Sequence, residues 1–245
     1  MNAVIQEHNS SSIHAAPVAK PVVRPAPGAG FDLDALRSHM LVQMHKLEAG
    51  KALYRAGQPF RSLFLVHAGF LKNTLVSEDG RERVTAFHMR GDVLGTEAIG
   101  TSMHVCSAVA LDSSVVWEVP YTCLLRAGAA DPSLQARLAD ILAAEMRNDR
   151  RWMLAQSTLG AEQRVASFLL HMAARHEDLG FSGRRFMLRM SRMDIASFLA
   201  LKHETVTRAL SHLADLGCIR IQLRDVQITD PSRLEQLSQQ NERIH

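Results

Sequence analysis

"SRMDIASFLALKHETVTRALSHLADLG", residues 191–217, decides how the rest of the chain is read. Ser191 with Asp194 three residues later makes a capping-box start, and the short helix it opens carries Ile195 and Leu199. A brief break at Leu201 and Lys202 follows. Val206, Leu210 and Leu213 then return at helical spacing as a buried stripe. Gly217 can end this second helix in the left-handed conformation that other residues resist. Glu204, Thr207, Arg208 and Ser211 share the remaining face, and packing needs none of them.

The flanks supply the context. Upstream, Val165, Phe168, Leu169 and Met172 mark a helix, and a turn through 178–183 leads to a short strand near 186–190. Downstream, "CIRIQLRDVQIT" (218–229) alternates Ile219, Ile221 and Leu223 with Arg220, Gln222 and Arg224, then returns through Val226 and Ile228 as a hairpin. A helix, two helices with a tight break and a β-hairpin make a winged helix-turn-helix, whose second helix enters the major groove. A helix in that groove needs side chains that read base edges. Arg is bidentate to guanine O6 and N7, Glu accepts from cytosine N4 and Thr meets the thymine methyl. Glu204, Thr207 and Arg208 are those types. Lys202, His203, Ser211, Ser191 and Arg192 lie beside them as further DNA-contact candidates. From 184 to 224 there are eight Lys or Arg against Asp194, Glu204 and Asp215, a positive excess of five suited to phosphates. The competing explanation is a solvated i,i+4 pair between Glu204 and Arg208, worth a few tenths of a kcal/mol.

Residues 31–132 read differently. Glycines at 57, 69, 80 and 91 close stretches such as "SLFLVHAG" and "RVTAFHMRG". Turns spaced that closely point to an all-β barrel or sandwich. Pro120 and Asp131-Pro132 break the rhythm, and a long helix over 133–158 follows, capped by Asp131 or Ser133. Leu138, Ile141, Leu142, Glu145, Asn148 and Trp152 recur along it. About 39 Å of helix exceeds what one small barrel needs, so these residues are expected to form a dimer seam, with Asn148 fixing register. Residues 1–30, with Pro17, Pro21, Pro25, Pro27 and a serine triplet, are expected to be a disordered leader. The expected domains are thus the leader, a sensor barrel (31–132), a dimerisation helix (133–159) and a winged helix-turn-helix (160–245), an α+β protein.

Composition limits the classes. The chain has 47% apolar and 22% charged residues, a net charge of +3 and three scattered cysteines. No run approaches the roughly 18 apolar residues of a spanning helix. A soluble, cytoplasmic protein with reduced thiols is expected. Cupin-like metal enzymes are the alternative small barrels, but they need an H-x-H pair with further converging ligands, and this barrel has isolated histidines. No nucleophile motif, phosphate loop or metalloprotease helix is present, so the expectation is not an enzyme.

From about residue 31 to 230 the chain resembles the Crp/Fnr transcription regulators. "HETVTRALSHLADLG" is similar to their recognition helix, with Glu204, Thr207 and Arg208 in the E-x-x-[SGT]-R signature, and "GRERVTAFHMRGDVLGTEAIG" (80–100) is similar to the barrel of the Fnr branch. The resemblance implies a cyclic-nucleotide-binding-like jelly-roll barrel, a dimerisation helix and a homodimer on a TTGAT-type inverted repeat in oxygen, redox or anaerobic control. It also implies an RNA polymerase contact in the loop at 77–83, where Glu78, Asp79, Gly80 and Arg81 stand. Arg81 occupies a position where an acidic residue is expected, which leaves activation or repression open.

Two family cofactors do not match the residues. Cyclic-nucleotide members hold the phosphate with Arg-Ser or Arg-Thr, whereas Cys106-Ser107 stands there and no Lys or Arg occurs from 91 to 125; cyclic AMP is not expected. The oxygen sensors use three N-terminal cysteines and one in the barrel, but no cysteine precedes Cys106 and Trp117 takes the barrel position. A 4Fe-4S cluster is not expected. Three sensor readings remain: control without a ligand, haem held by His67, His88 or His104, or redox chemistry at Cys106 or Cys123. Cys218 lies where oxidation would disturb DNA docking. No metal site is expected.

Overall fold

The computed structural model of the chain describes residues 31, 36, 37 and 40–239. The expected leader lies outside the described residues. Eight strands come first: β1 (Gln43–Leu47), β2 (Ala52–Tyr54), β3 (Ser62–Ala68), β4 (Phe70–Val76), β5 (Glu82–Met89), β6 (Val93–Leu94), β7 (Ser107–Ala110) and β8 (Ser114–Pro120). They form two four-stranded antiparallel sheets, in the orders β1-β8-β3-β6 and β2-β7-β4-β5. This is the all-β barrel expected from the turn spacing, in the jelly-roll form that the family resemblance implied. Gly57, Gly69, Gly80 and Gly91 all have positive φ. At Gly69 a Cβ would also fall 2.6 Å from the Ser114 Cα, so only glycine lets β3 turn into β4 beside β8.

Strand β3 explains how the barrel is sandwiched. Its alternate residues split between two cores, because successive side chains of a strand point to opposite faces. Phe64 and Val66 face Tyr54, Leu71, Cys106 and Val116. Leu63 and Leu65 face the other way, toward Leu124, Ala127, Leu134 and Ile141. Those last residues belong to α1 (Tyr121–Ala130) and α2 (Pro132–Thr158). Helix α1 was not expected, because its ten residues sit between two proline-marked breaks. Helix α2 starts as expected: Asp131 Oδ1 accepts the Ser133 N–H at 2.9 Å, with Pro132 in the first turn.

The third segment comprises α3 (Ala161–Asp178), β9 (Arg185–Met187), α4 (Arg192–Leu199), α5 (His203–Asp215), β10 (Ile219–Gln222), β11 (Asp225–Ile228) and α6 (Pro231–Gln239). Strand β9 pairs with β11 and ends at Met187, short of the expected 190. The C-terminal helix α6 was not anticipated; Leu234 anchors it in the core.

One core runs from the barrel into this segment. Phe87 of β5 meets Phe198 of α4 at a ring separation of 5.2 Å and Phe168 of α3 at 6.0 Å. Trp152 of α2 packs on Phe198 at 4.9 Å. The free edge of β5 docks on α4 as well, since the Val84 N–H donates to Ser197 Oγ at 2.9 Å. Among the described residues, no helix is long and apolar enough to cross a membrane.

Candidate nucleic-acid interface

Helix α4 fixes the angle of α5, and its start is heavily bonded. Ser191 Oγ accepts the Asp194 N–H at 3.1 Å, while an Asp194 oxygen accepts the Ser191 N–H at 2.9 Å. The other Asp194 oxygen accepts from Lys72 Nζ of barrel strand β4 at 2.6 Å. Burial pushes the Asp194 carboxyl up, but the Lys72 ammonium and the Ser191 donors outweigh it and hold it below its ordinary value. The end of α4 is held by its neighbours. Gln156 of α2 donates to the Phe198 carbonyl at 2.8 Å and Arg164 of α3 to the Leu199 carbonyl at 3.2 Å. Ala200 then takes the left-handed cap position with φ 54°, and the chain turns into α5.

Val206, Ala209, Leu210 and Leu213 bury one side of α5, including the three residues of the expected stripe. Gly217, φ 73°, follows the helix as expected. The other side is open: Lys202, His203, Glu204, Arg208 and Ser211 are exposed and Thr207 is half-buried. Glu204 and Arg208 do not pair. Among the described residues neither forms an ion pair or a side-chain hydrogen bond, so the solvated i,i+4 pair is absent. Arg192 Nη1 lies 3.5 Å from Thr207 Oγ1, which brings the start of α4 beside the middle of α5. Ser191, Arg192, His203 and the wing line one cleft.

The basic excess is partly spent within the chain. Arg185 grips Asp225 through two nitrogens, at 3.1 and 2.8 Å, and Arg189 reaches Asp112 of the barrel at 3.4 Å. Arg208 and Arg220 are exposed. Sequence reasoning missed Lys72 and Asp112, because each acts on a residue far along the chain. No local pattern could have marked them.

Two family models match the chain. The first is the Crp-like helix-turn-helix domain, over residues 163–237, and the second the cyclic nucleotide-binding domain, over 44–131. The anaerobic regulatory protein of Pasteurella multocida is 33% identical over 207 residues, covering 84% of this chain and 76% of that protein. The fumarate nitrate reduction regulatory protein of Klebsiella oxytoca is 32% identical over 209 residues, covering 85% and 83%. FixK2 from Bradyrhizobium japonicum superposes with a TM-score of 0.76 at 29% identity, covering 82% of this chain and all of that one.

The chain belongs to the Crp/Fnr family. It is a transcriptional regulator with a DNA-binding helix-turn-helix, and not an enzyme. Its barrel is the family's cyclic nucleotide-binding domain, and several polar groups are buried in and around it. Tyr54 stacks on His104 at 3.8 Å, and His104 Nδ1 lies 3.1 Å from a Glu97 oxygen. Thr96 Oγ1 donates to Glu145 of α2 at 2.6 Å. Burial, reinforced by Asp149 and Glu97, pushes the Glu145 carboxyl up to about 7 against the bond from Thr96. Glu97 and Glu145 thus lie near each other through neighbouring Thr96, one held by His104 and the other by Thr96.

The other sensor candidates are also placed. His67 is exposed, with its ring 6.1 Å from Trp117. His88 is buried, its Nε2 without a partner, and burial holds it neutral. His104 is engaged by Tyr54 and Glu97. Cys106 and Cys218 are buried and Cys123 half-buried, all three as free thiols. Burial raises both Cys106 and Cys218, and Glu97 adds to it at Cys106, which is the wrong direction for a reactive thiolate. Among the described residues, no group of three or more His, Cys, Asp or Glu side chains is arranged to hold a metal ion.

The loop between β4 and β5 carries the polymerase-contact candidates. Asp79 accepts from Ser77 and pairs with Arg81, and both bonds hold its carboxyl below the ordinary value, Arg81 chiefly. Glu78 is exposed and Gly80 turns the hairpin with φ 80°.

Of the expected seam on α2, Leu138, Ile141, Glu145 and Trp152 lie against the chain itself, Asn148 bonds along the helix and Leu142 is half-buried. Trp152 is 5% exposed, buried among Phe168 and Phe198, and Ile141 is buried on the barrel. Leu138 packs there too, Glu145 is bonded to Thr96 and Asn148 accepts from Arg151 at 3.0 Å. The three-and-four spacing selected a genuine apolar face, but its own barrel and α3–α4 cover it. The opposite side of α2 leaves Met146, Met153 and Leu154 exposed.

Proposed function

We propose that this regulator binds a TTGAT-type inverted repeat as a homodimer, with one α5 in each major groove. Arg208 reads guanine, Glu204 the cytosine-amino edge and Thr207 a thymine methyl. Lys202, His203, Ser191, Arg192 and Ser211 hold the phosphates and fix register. The observation that carries this is the open, unpaired state of Glu204 and Arg208 on the outer face of α5. Two exposed opposite charges four residues apart that leave each other free are available to a partner.

The homodimer uses the free side of α2. Ala139, Leu142, Met146 and Met153 follow one another at three, four and seven residues, the spacing of a coiled-coil seam. Two-fold symmetry then sets the half-sites about one helical turn apart. Glu78 and the Asp79–Arg81 turn are the proposed polymerase contact. The barrel takes neither cyclic AMP nor a 4Fe-4S cluster; Cys106-Ser107 in place of a cationic pair, and three cysteines dispersed over the barrel, α1 and the turn after α5, support that. The relatives named as anaerobic and fumarate–nitrate regulators support a role in oxygen or anaerobic control.

A mobility shift on a TTGAT-N4-ATCAA duplex tests the proposal. The wild type should prefer it to a scrambled duplex, and Arg208→Ala should lose about 1–3 kcal/mol of that preference. Equal, salt-sensitive binding of both proteins to both duplexes would refute it.

A further inference from the structure

Arg151 of α2 is a half-buried cation without a counter-charge. Its Nη2 donates to Asn148 Oδ1 at 3.0 Å and to His171 Nδ1 of α3, and its guanidinium carbon lies 5.2 Å from the centre of the Trp152 ring. Asn148 and the Trp152 ring are neutral. Among the described residues Arg151 forms no ion pair, and its Nε and Nη1 find no acceptor. The nearest other charge has the same sign. Burial, with repulsion from Arg175, brings Arg151 down to about 10, and burial with both guanidiniums holds His171 neutral, well below its ordinary value. Arg175 is already committed, to Asp92 and the Phe87 carbonyl. Arg147, one turn before Arg151, is exposed and likewise has no ion pair among the described residues. Like charges four apart on a helix repel, and nothing in the chain offsets this pair.

The free groups around Arg151 are all donors. A guanidinium offers no lone pair, so His171 Nδ1 accepts and the ring proton sits on Nε2, which has no partner among the described residues. Asn148 accepts through Oδ1, which leaves its amide hydrogens. The Trp152 Nε1–H is buried and also lacks a partner. Such a set is satisfied by a charged acceptor. It is also clear of the proposed dimer seam, because Arg151 lies two residues from Met153, about 200° round the helix.

We propose that Arg147, Arg151 and the His171 Nε2–H hold a small phosphate-type oxyanion between α2 and α3. The anion ties the long helix to the first helix of the DNA-binding segment, at a place separate from the barrel interior and from α5.

Thermal melting of the full-length chain in inorganic phosphate, against chloride at equal ionic strength, tests the site, with glycerol phosphate as a second arm. At about ten times the dissociation constant the wild type should gain about 2–4 °C. A larger gain from the monoester would identify a phosphorylated small molecule as the source; an equal or smaller one, the free ion. Arg151→Met keeps a stem over Trp152 and removes the charge, so it should gain nothing, whereas Arg208→Ala should gain as the wild type does. A second readout needs no change at the site: in NMR spectra assigned with Trp117→Phe, the Trp152 indole N–H should shift saturably with phosphate. Equal melting in chloride and in both phosphate arms would overturn the proposal, as would a gain retained by Arg151→Met or a Trp152 signal that does not move.

Discussion

The outer face of α5 and the interior of the barrel hold similar side chains in opposite states. Outside, Glu204, His203 and Arg208 stand open, with no side-chain partner among the described residues. Inside, Glu97 and His104 hold each other, and Glu145 is held by Thr96. A charged group left unpaired in water costs little and stays available for an incoming ligand. One taken out of water must be satisfied locally or shift its pKa, and Glu145 does both. The difference teaches where partner chemistry is legible: on the outer face of α5 it is written in free groups, while in the barrel Glu97 with His104 and Thr96 with Glu145 are committed to each other, beside buried atoms such as Tyr54 Oη and His88 Nε2 that have no hydrogen-bond partner.

If the two regions are joined as one body, damage at their junction should outweigh damage within either. Trp152→Ala removes the ring that ties α2 to Phe168 and Phe198, and denaturant melting should give a loss of about 3–5 kcal/mol. A fall below 1 kcal/mol would mean that the regions move separately.

Lys72→Met should come next, at about 1–3 kcal/mol, because it leaves the Asp194 carboxylate partly buried without its cation. The sign with pH follows from the depressed Asp194. Its stabilisation is present above the ordinary value of 3.8 and is lost as pH falls through the lowered folded value. Acid melting of the variant should therefore begin at higher pH than in the wild type.

Glu145→Gln sharpens the barrel side. A carboxyl raised from 4.5 to about 7 stabilises the fold below 4.5 and loses that contribution as pH rises through 7. The variant should gain about 1–2 kcal/mol at pH 8 and nothing at pH 4, read as Tm across that range. A variant less stable than the wild type at pH 8 would show that the carboxylate is wanted ionised. The smallest effect is expected at Arg81→Ala, whose pair with Asp79 is exposed. Its Tm should not change, because surface pairs of this kind contribute almost nothing, so any loss of transcription would point to a lost contact.

Much of this was legible in the sequence where local rules decide. Val206, Leu210 and Leu213 announced α5, the Ser191–Asp194 box announced α4, and the glycine turns announced the barrel. The face of α2 was legible too, but not what covers it. Helical spacing places Ile141 and Trp152 on one side and is silent on whether a partner or the barrel lies there. Helix α1 was hidden between two proline-marked breaks, in a stretch too short for a clear period. The Lys72–Asp194 bond spans 122 residues, and no local pattern carries that information.

The most direct measurement is a cycle that crosses one residue with one base. Wild type and Arg208→Ala are titrated against duplexes carrying TTGAT or TTAAT half-sites, each with its complement, at fixed salt. If Arg208 reads that guanine, the base change should weaken the wild type by about 1–3 kcal/mol per half-site and leave Arg208→Ala nearly indifferent. Equal losses in both proteins would mean that the open face of α5 does not read the half-site.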